Sequence, residues 1–120
     1  MKSIAVVEDD STVCEALEAL LQAMGHAVVT FECGEDLLAS PELAHVSCLI
    51  TDIQLRGMSG LDLQERLRAA GHDIRFIVVT AFPDERVRER ALKLGAVAFL
   101  TKPVRKAHLV AALAQAIGQP

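Results

Sequence analysis

The chain is expected to fold as a doubly wound α/β sandwich, with about five parallel strands covered on both faces by about five helices. Three observations carry this. Short apolar, β-rich runs alternate with helix-periodic stretches from one end of the sequence to the other. The runs are apolar throughout, as strands buried on both faces are, rather than alternating. Helical stretches stop at a glycine or before a proline, as helices that must turn back onto a sheet do. Right-handed crossovers between parallel strands then force the layered arrangement.

Taken in order, "SIAVV" (3–7) is the first strand, followed by helix-spaced Val13, Leu17, Leu20, Leu21 and Met24 up to Gly25. Ser11 or Asp10 can cap that helix, and Glu15 is placed in its first turn. "AVVTF" (27–31) is the second strand, and the short helix "GEDLLAS" stops before Pro41. "VSCLIT" (46–51) is the third, after which Ser59 caps a helix carrying Leu61, Leu63 and Leu67 up to Gly71. "RFIVVT" (75–80) is the fourth. Pro83, Asp84 and Glu85 then open a helix, with the proline assigned to its first position and the acids facing its positive end. "VAFLT" (97–101) is the fifth strand, and Leu109, Leu113 and Ile117 mark a last helix ending at Gly118. The final "GQP" reads as a tether or a frayed tail.

With 120 residues, the whole chain, 1–120, is assigned to one domain. Hydrophobic residues at 52% supply a core, and a net charge of −4 with 3% aromatics, all Phe, argues against a nucleic-acid surface or a membrane belt. Cys14, Cys33 and Cys48 have no CxxC spacing and an odd count, which fits free thiols in a reducing compartment. "MKSIAVVEDD" turns acidic too soon for a signal peptide or spanning helix, so a cytoplasmic location is expected. His26, His45, His72 and His108 lack metal-ligand spacing and read as surface residues.

In such a sheet, ligands sit beyond the carboxyl ends of the strands. Those ends deliver Glu8-Asp9-Asp10 from the first strand, Asp52 from the third, Thr80 from the fourth and Lys102-Pro103 from the fifth. A carboxylate at the lip of a buried strand is costly to desolvate, so Asp52 needs company. Clustered carboxylates call for a hard divalent cation, and Mg²⁺ suits a site of few carboxylates and several waters. A carboxylate nucleophile, a metal, a lysine and a hydroxyl together provide what phosphoryl transfer requires: positioning and charge neutralisation.

The segments "VVEDD", "LITDIQLRGMSGLDL", "FIVVTAF" and "GAVAFLTKPV" resemble the four marker segments of response-regulator receiver domains of two-component signalling. The resemblance covers essentially the whole chain and implies a flavodoxin-like sheet of order 2-1-3-4-5. It implies that Asp52 accepts the phosphoryl group, that Asp9 binds Mg²⁺ directly with Asp52, Glu8 acting directly or through water, and that the Gln54 main-chain carbonyl adds a ligand. It makes Thr80 the switch hydroxyl, Ala81 the small neighbour that leaves room for the phosphoryl group, and Lys102 its pairing cation. Pro103 would follow a cis peptide, and Phe99 would be the aromatic switch whose turning remodels the face of the fourth helix, fifth strand and fifth helix.

The implied partner is a sensor histidine kinase or phosphotransfer protein, and the implied role is a signalling switch that promotes its own phosphorylation and dephosphorylation rather than a metabolic enzyme. "TDIQLRGMSGLDL" leans towards transcription regulators with helix-turn-helix outputs. Two alternatives stand for the chain: a single-domain regulator, or a segment of a protein with a C-terminal DNA-binding domain. Dimerisation on phosphorylation is compatible with either.

Arg56 departs from the proline usual in that loop, and Glu8 from the commoner Asp. Gln54 and Phe82, two residues past Asp52 and Thr80, stand where side chains affect water access in this family. Read singly, Asp10 is a helix cap, Phe99 ordinary core, Thr80 a strand-end cap, and Arg56, Lys102 and the "RVRERALK" charges solvated surface. A haloacid-dehalogenase-like phosphatase would need an Asp where Gln54 stands, to act as general acid/base. A flavodoxin-like cofactor module would need an anion-accepting loop where "EDDST" repels anions. A non-phosphorylated pseudo-receiver typically loses an acid or the lysine, and all are kept here.

Overall fold

Five strands, β1 (Ser3–Val7), β2 (Val28–Phe31), β3 (Val46–Asp52), β4 (Arg75–Thr80) and β5 (Ala96–Thr101), pair in parallel in the order β2-β1-β3-β4-β5. The structure is a computed structural model and describes residues 2–118. Five α-helices connect or follow the strands: α1 (Ser11–Ala23), α2 (Gly34–Ala39), α3 (Gly60–Ala69), α4 (Glu85–Lys93) and α5 (Lys106–Ile117). A 3-10 helix, Pro41–His45, joins α2 to β3 and was not legible in the apolar spacing. The fold is the expected flavodoxin-like one. Of the terminal "GQP", Gln119 and Pro120 lie outside the described residues.

Two layers of core explain why the strands read as unbroken apolar runs. On one face, Ala5, Val7, Leu49 and Val78 pack with Leu37 of α2, Leu61, Leu63 and Leu67 of α3 and Ala91 of α4. On the other, Ile4, Val6, Ile50, Ile77 and Val79 pack with Leu17 and Leu21 of α1 and Leu109 and Leu113 of α5. Odd and even strand positions both lose water, so the period-2 pattern vanishes. Each fully buried leucine contributes on the order of 1.5–3 kcal/mol of transfer free energy.

Helix starts are fixed by side-chain caps. Asp10 accepts from the amides of Thr12 and Val13, which settles the choice between Asp10 and Ser11. Glu15 consequently falls beyond the first turn, contrary to expectation. Ser59 caps α3 through the Asp62 amide, as anticipated. Pro83 is not the first helical residue: Asp84 accepts from the Arg86 amide and takes the cap, leaving the proline outside the helix.

Strand registers set the site level. Val7 pairs with Thr51, Asp52 with Val79 and Thr80 with Thr101, so the residues that follow these positions emerge along one edge of the sheet. The start of α3 closes tightly beneath that edge. A β-carbon on Gly60 would lie 2.1 Å from the Asp52 carbonyl oxygen, so only glycine fits.

Candidate functional site

Three strand ends converge on one ammonium group. Lys102 Nζ lies 2.6 Å from Asp52 Oδ2 and 2.6 Å from Glu8 Oε1. The carboxylates are sheltered, with side-chain exposures of 2% for Glu8 and 8% for Asp52, against 15% for Lys102. The remaining oxygens are also engaged: the Asp10 amide donates to Glu8 Oε2 and the Gln54 amide to Asp52 Oδ1. Backbone donors of this kind hold a carboxylate in place while favouring its charged form.

Burial governs the electrostatics. It pushes the Glu8 carboxyl above its ordinary value, although the hydrogen bond from Lys102 pulls the other way. Burial alone would lower Lys102, but its hydrogen bonds to Asp52 and Glu8 outweigh that and leave the ammonium harder to deprotonate than usual. The site thus retains a proton-bearing cation beside its acids at neutral pH.

Glu8, Asp9 and Asp52 each offer an oxygen within 4.8 Å of the others, the one such grouping of potential metal-binding side chains among the described residues. An all-oxygen donor set with Asp9 half-exposed fits a hard divalent cation that keeps part of its water. The residues present therefore suit Mg²⁺. Beside them lies a concavity of about 540 Å³ lined by Asp9, Glu32, Glu35, Asp36, Arg56 and Gly57.

The other singled-out residues fall as follows. Thr80 is buried at the end of β4, and its hydroxyl oxygen accepts from the Phe82 amide at 3.1 Å. Among the described residues it makes no hydrogen bond to Asp52. Ala81 is exposed next to it, and the side chain of Phe82 is 69% exposed at the rim. Phe99 is half-buried on β5 against the face that carries Ala91 and Val87. The Lys102–Pro103 peptide is cis. Arg56 is exposed and makes no ion pair among the described residues, while His45, His72 and His108 are exposed and His26 half-buried. Cys48 is fully buried, its thiol pushed up to about 12 by desolvation, and all three cysteines are free.

Sequence reasoning missed Gly60 and Gln64. Gly60 stands in the first turn of a helix with no positive φ to require it, and that oddity was the available signal. Gln64 lies on α3, fully buried, with Nε2 donating to the Ala91 carbonyl at 3.0 Å and Oε1 without a partner.

The doubly wound fold thus carries an acid pocket with a lysine at one edge of its sheet, and comparison with known proteins gives its class. The response regulator receiver domain family matches residues 4–114, and the chain belongs to that family. Response regulator protein TodT of Pseudomonas putida is 35% identical over 114 residues, covering 95% of this chain and 50% of that protein. Transcriptional regulatory protein FixJ of Azorhizobium caulinodans is 34% identical over 116 residues, covering 97% and 55%. Among solved structures, response regulator StyR aligns with a TM-score of 0.86 at 38% identity, covering 97% of this chain and 59% of that one. FixJ-N aligns with a TM-score of 0.85 at 29% identity, covering 97% and 93%. The chain spans about half the length of the curated relatives it matches. Family membership gives it a phosphorylation-dependent signalling role. No helix among the described residues is long and apolar enough to cross a membrane.

Proposed function

We propose that residues 1–120 form one receiver unit that takes a phosphoryl group on Asp52 from the phosphohistidine of a sensor kinase or phosphotransfer protein. The observation that carries this is the 2.6 Å approach of Lys102 to both Asp52 and Glu8, with Asp9 within metal-sharing reach. An Asp52 oxygen attacks phosphorus, the P–N bond breaks, and the imidazole leaves with the electron pair. Hydrolysis of the acyl phosphate by water later returns the carboxylate and inorganic phosphate.

Each residue has a part in that exchange. Glu8, Asp9, Asp52 and the Gln54 carbonyl would hold Mg²⁺, which when bound neutralises charge on the transferring oxygens. Lys102 exchanges its contact with Asp52 Oδ2 for one with a phosphoryl oxygen, keeping its positive charge. Thr80 donates a hydrogen bond from its hydroxyl to another phosphoryl oxygen, with Ala81 too small to obstruct. Phe99 then turns towards the space Thr80 leaves, shifting the α4–β5–α5 face between two states. That face acts on an output domain or partner for transcription control, in the cytoplasm, and a phosphorylation-linked homodimer is one form the response can take.

A phosphatase role fails chemically, since the Gln54 amide cannot shuttle a proton as a second acid would. The test is incubation with Mg²⁺ and a small phosphodonor followed by intact-mass measurement. Wild type should gain one phosphoryl group and Asp52→Asn none. An unmodified wild type, or an equally modified variant, refutes the proposal.

A further inference from the structure

The loop between Asp52 and α3 has to stay in shape; Ile53, Leu55 and Met58 pack against the core, but its tip at Arg56 and Gly57 has no such support. The Gln54 amide is tied to Asp52 Oδ1, and the Gly60 amide to the Ile53 carbonyl. Between them, Arg56 and Gly57 are exposed, and Gly57 sits at a φ of 73°. The Ile53 amide donates to the Val79 carbonyl of β4. Among the described residues, one hydrogen bond joins the rest of the loop, residues 54–59, to a distant element: the Met58 amide donates to Glu35 Oε2 at 3.3 Å. Glu35 comes from the first turn of α2, 23 positions earlier in the chain.

The contact is close on more than one side. A β-carbon on Gly57 would lie 2.7 Å from the same Glu35 oxygen, so the glycine lets the carboxylate seat against the turn. The Met58 sulfur lies 3.4 Å from where a β-carbon on neighbouring Gly34 would stand, which brings the start of α2 against this loop as a unit. Glu35 also lines the concavity shared by Asp9, Arg56 and Gly57.

We infer that Glu35 is a positioning residue: its carboxylate clamps the Gly57–Met58 turn and thereby holds the Asp52–Gln54 segment in the shape that receives the divalent cation. The inference rests on the acceptor-site proposal above. Glu35 does not touch the reacting atoms; it acts through the loop. A carboxylate accepting a backbone N–H restrains a loop more than water does, because water exchanges and the helix-borne side chain is fixed at its root.

Hydrogen exchange and Mg²⁺ titration, both read residue by residue by NMR, test this on wild type, Glu35→Ala and Glu35→Gln. Glu35→Ala should speed exchange at the Met58 amide and raise the Mg²⁺ dissociation constant, each about three- to tenfold, the range of one such hydrogen bond. Glu35→Gln keeps an acceptor oxygen without the charge and should restore most of both. Unchanged Met58 exchange in Glu35→Ala overturns the clamp. So does a Glu35→Gln protein that matches Glu35→Ala, since charge alone would then account for the metal effect. A wild type that binds no Mg²⁺ counts against the acceptor site instead, while Met58 exchange still reports on the clamp.

Discussion

Replacing Gly60 by alanine sets two effects of opposite sign against each other. Alanine favours helix over glycine by about 1 kcal/mol and restricts the unfolded chain, which by itself would stabilise α3. Against this, the added β-carbon would sit 2.1 Å from the Asp52 carbonyl oxygen and 2.9 Å from both the Asp52 carbonyl carbon and Ile53 Cα. These are backbone atoms, so no side chain can swing aside. Reaching even 3.0 Å requires a retreat of 0.9 Å (3.0 less 2.1) between the start of α3 and the end of β3. Overpacking of this kind costs about 3 kcal/mol, so the clash wins by about 2 kcal/mol. For a domain of this size that is a fall in Tm of about 8 °C, at ~4 °C per kcal/mol. Gly34→Ala is the comparator: its new carbon would meet Leu63 and Met58 side chains at 3.3–3.4 Å, which can yield, so its change should stay within about 1 kcal/mol. Thermal unfolding followed by circular dichroism reads both. A Gly60→Ala protein as stable as Gly34→Ala would refute the close-approach reasoning.

Lys102→Met removes the cation between Glu8 and Asp52, and without divalent metal should cost about 1–3 kcal/mol, the partial exposure of the site moderating the penalty. Added Mg²⁺ should then stabilise the variant more than it stabilises wild type, in melts with and without chelator. The same pair sets an alkaline signature. Because the folded-state pKa of Lys102 is raised, its contribution is complete below its ordinary value of 10.5 and is lost as pH climbs through the raised one. Wild type should lose stability over that window more steeply than Lys102→Met, and parallel curves would contradict the pairing. Cys48, buried with a thiol pushed up to about 12, should resist maleimide at pH 8 until the chain unfolds. Labelling of the native protein at Cys48, mapped by peptide mass, would contradict its place in the core.

The sheet was legible because strands and helices announce themselves in hydrophobic spacing and in stop residues. The edge of the sheet was legible because Glu8 and Lys102 directly follow a strand and Asp52 and Thr80 end one. Details that depend on which atom reaches which amide were less so: Asp84, not Pro83, opens α4 because its carboxylate finds the Arg86 amide. Gln64 carries no signal in the spacing of α3, and only packing against α4 shows that it is buried with its amide on the Ala91 carbonyl. The Glu35–Met58 contact links positions 23 apart, which no local pattern encodes. The roles of Thr80 and Phe99 come from the resemblance; that the Thr80 hydroxyl takes the Phe82 amide and Phe99 packs against the core beside α4 are tertiary facts.

The acyl phosphate itself offers the most direct test. Borohydride reduces an aspartyl phosphate to homoserine, so a phosphodonor-treated, Mg²⁺-loaded sample can be trapped, digested and mapped by mass spectrometry. Conversion at position 52 alone, abolished by chelator, is the expected result. Conversion at Glu8, Asp9 or Asp10 instead, or at no acid in the chain, would contradict the account.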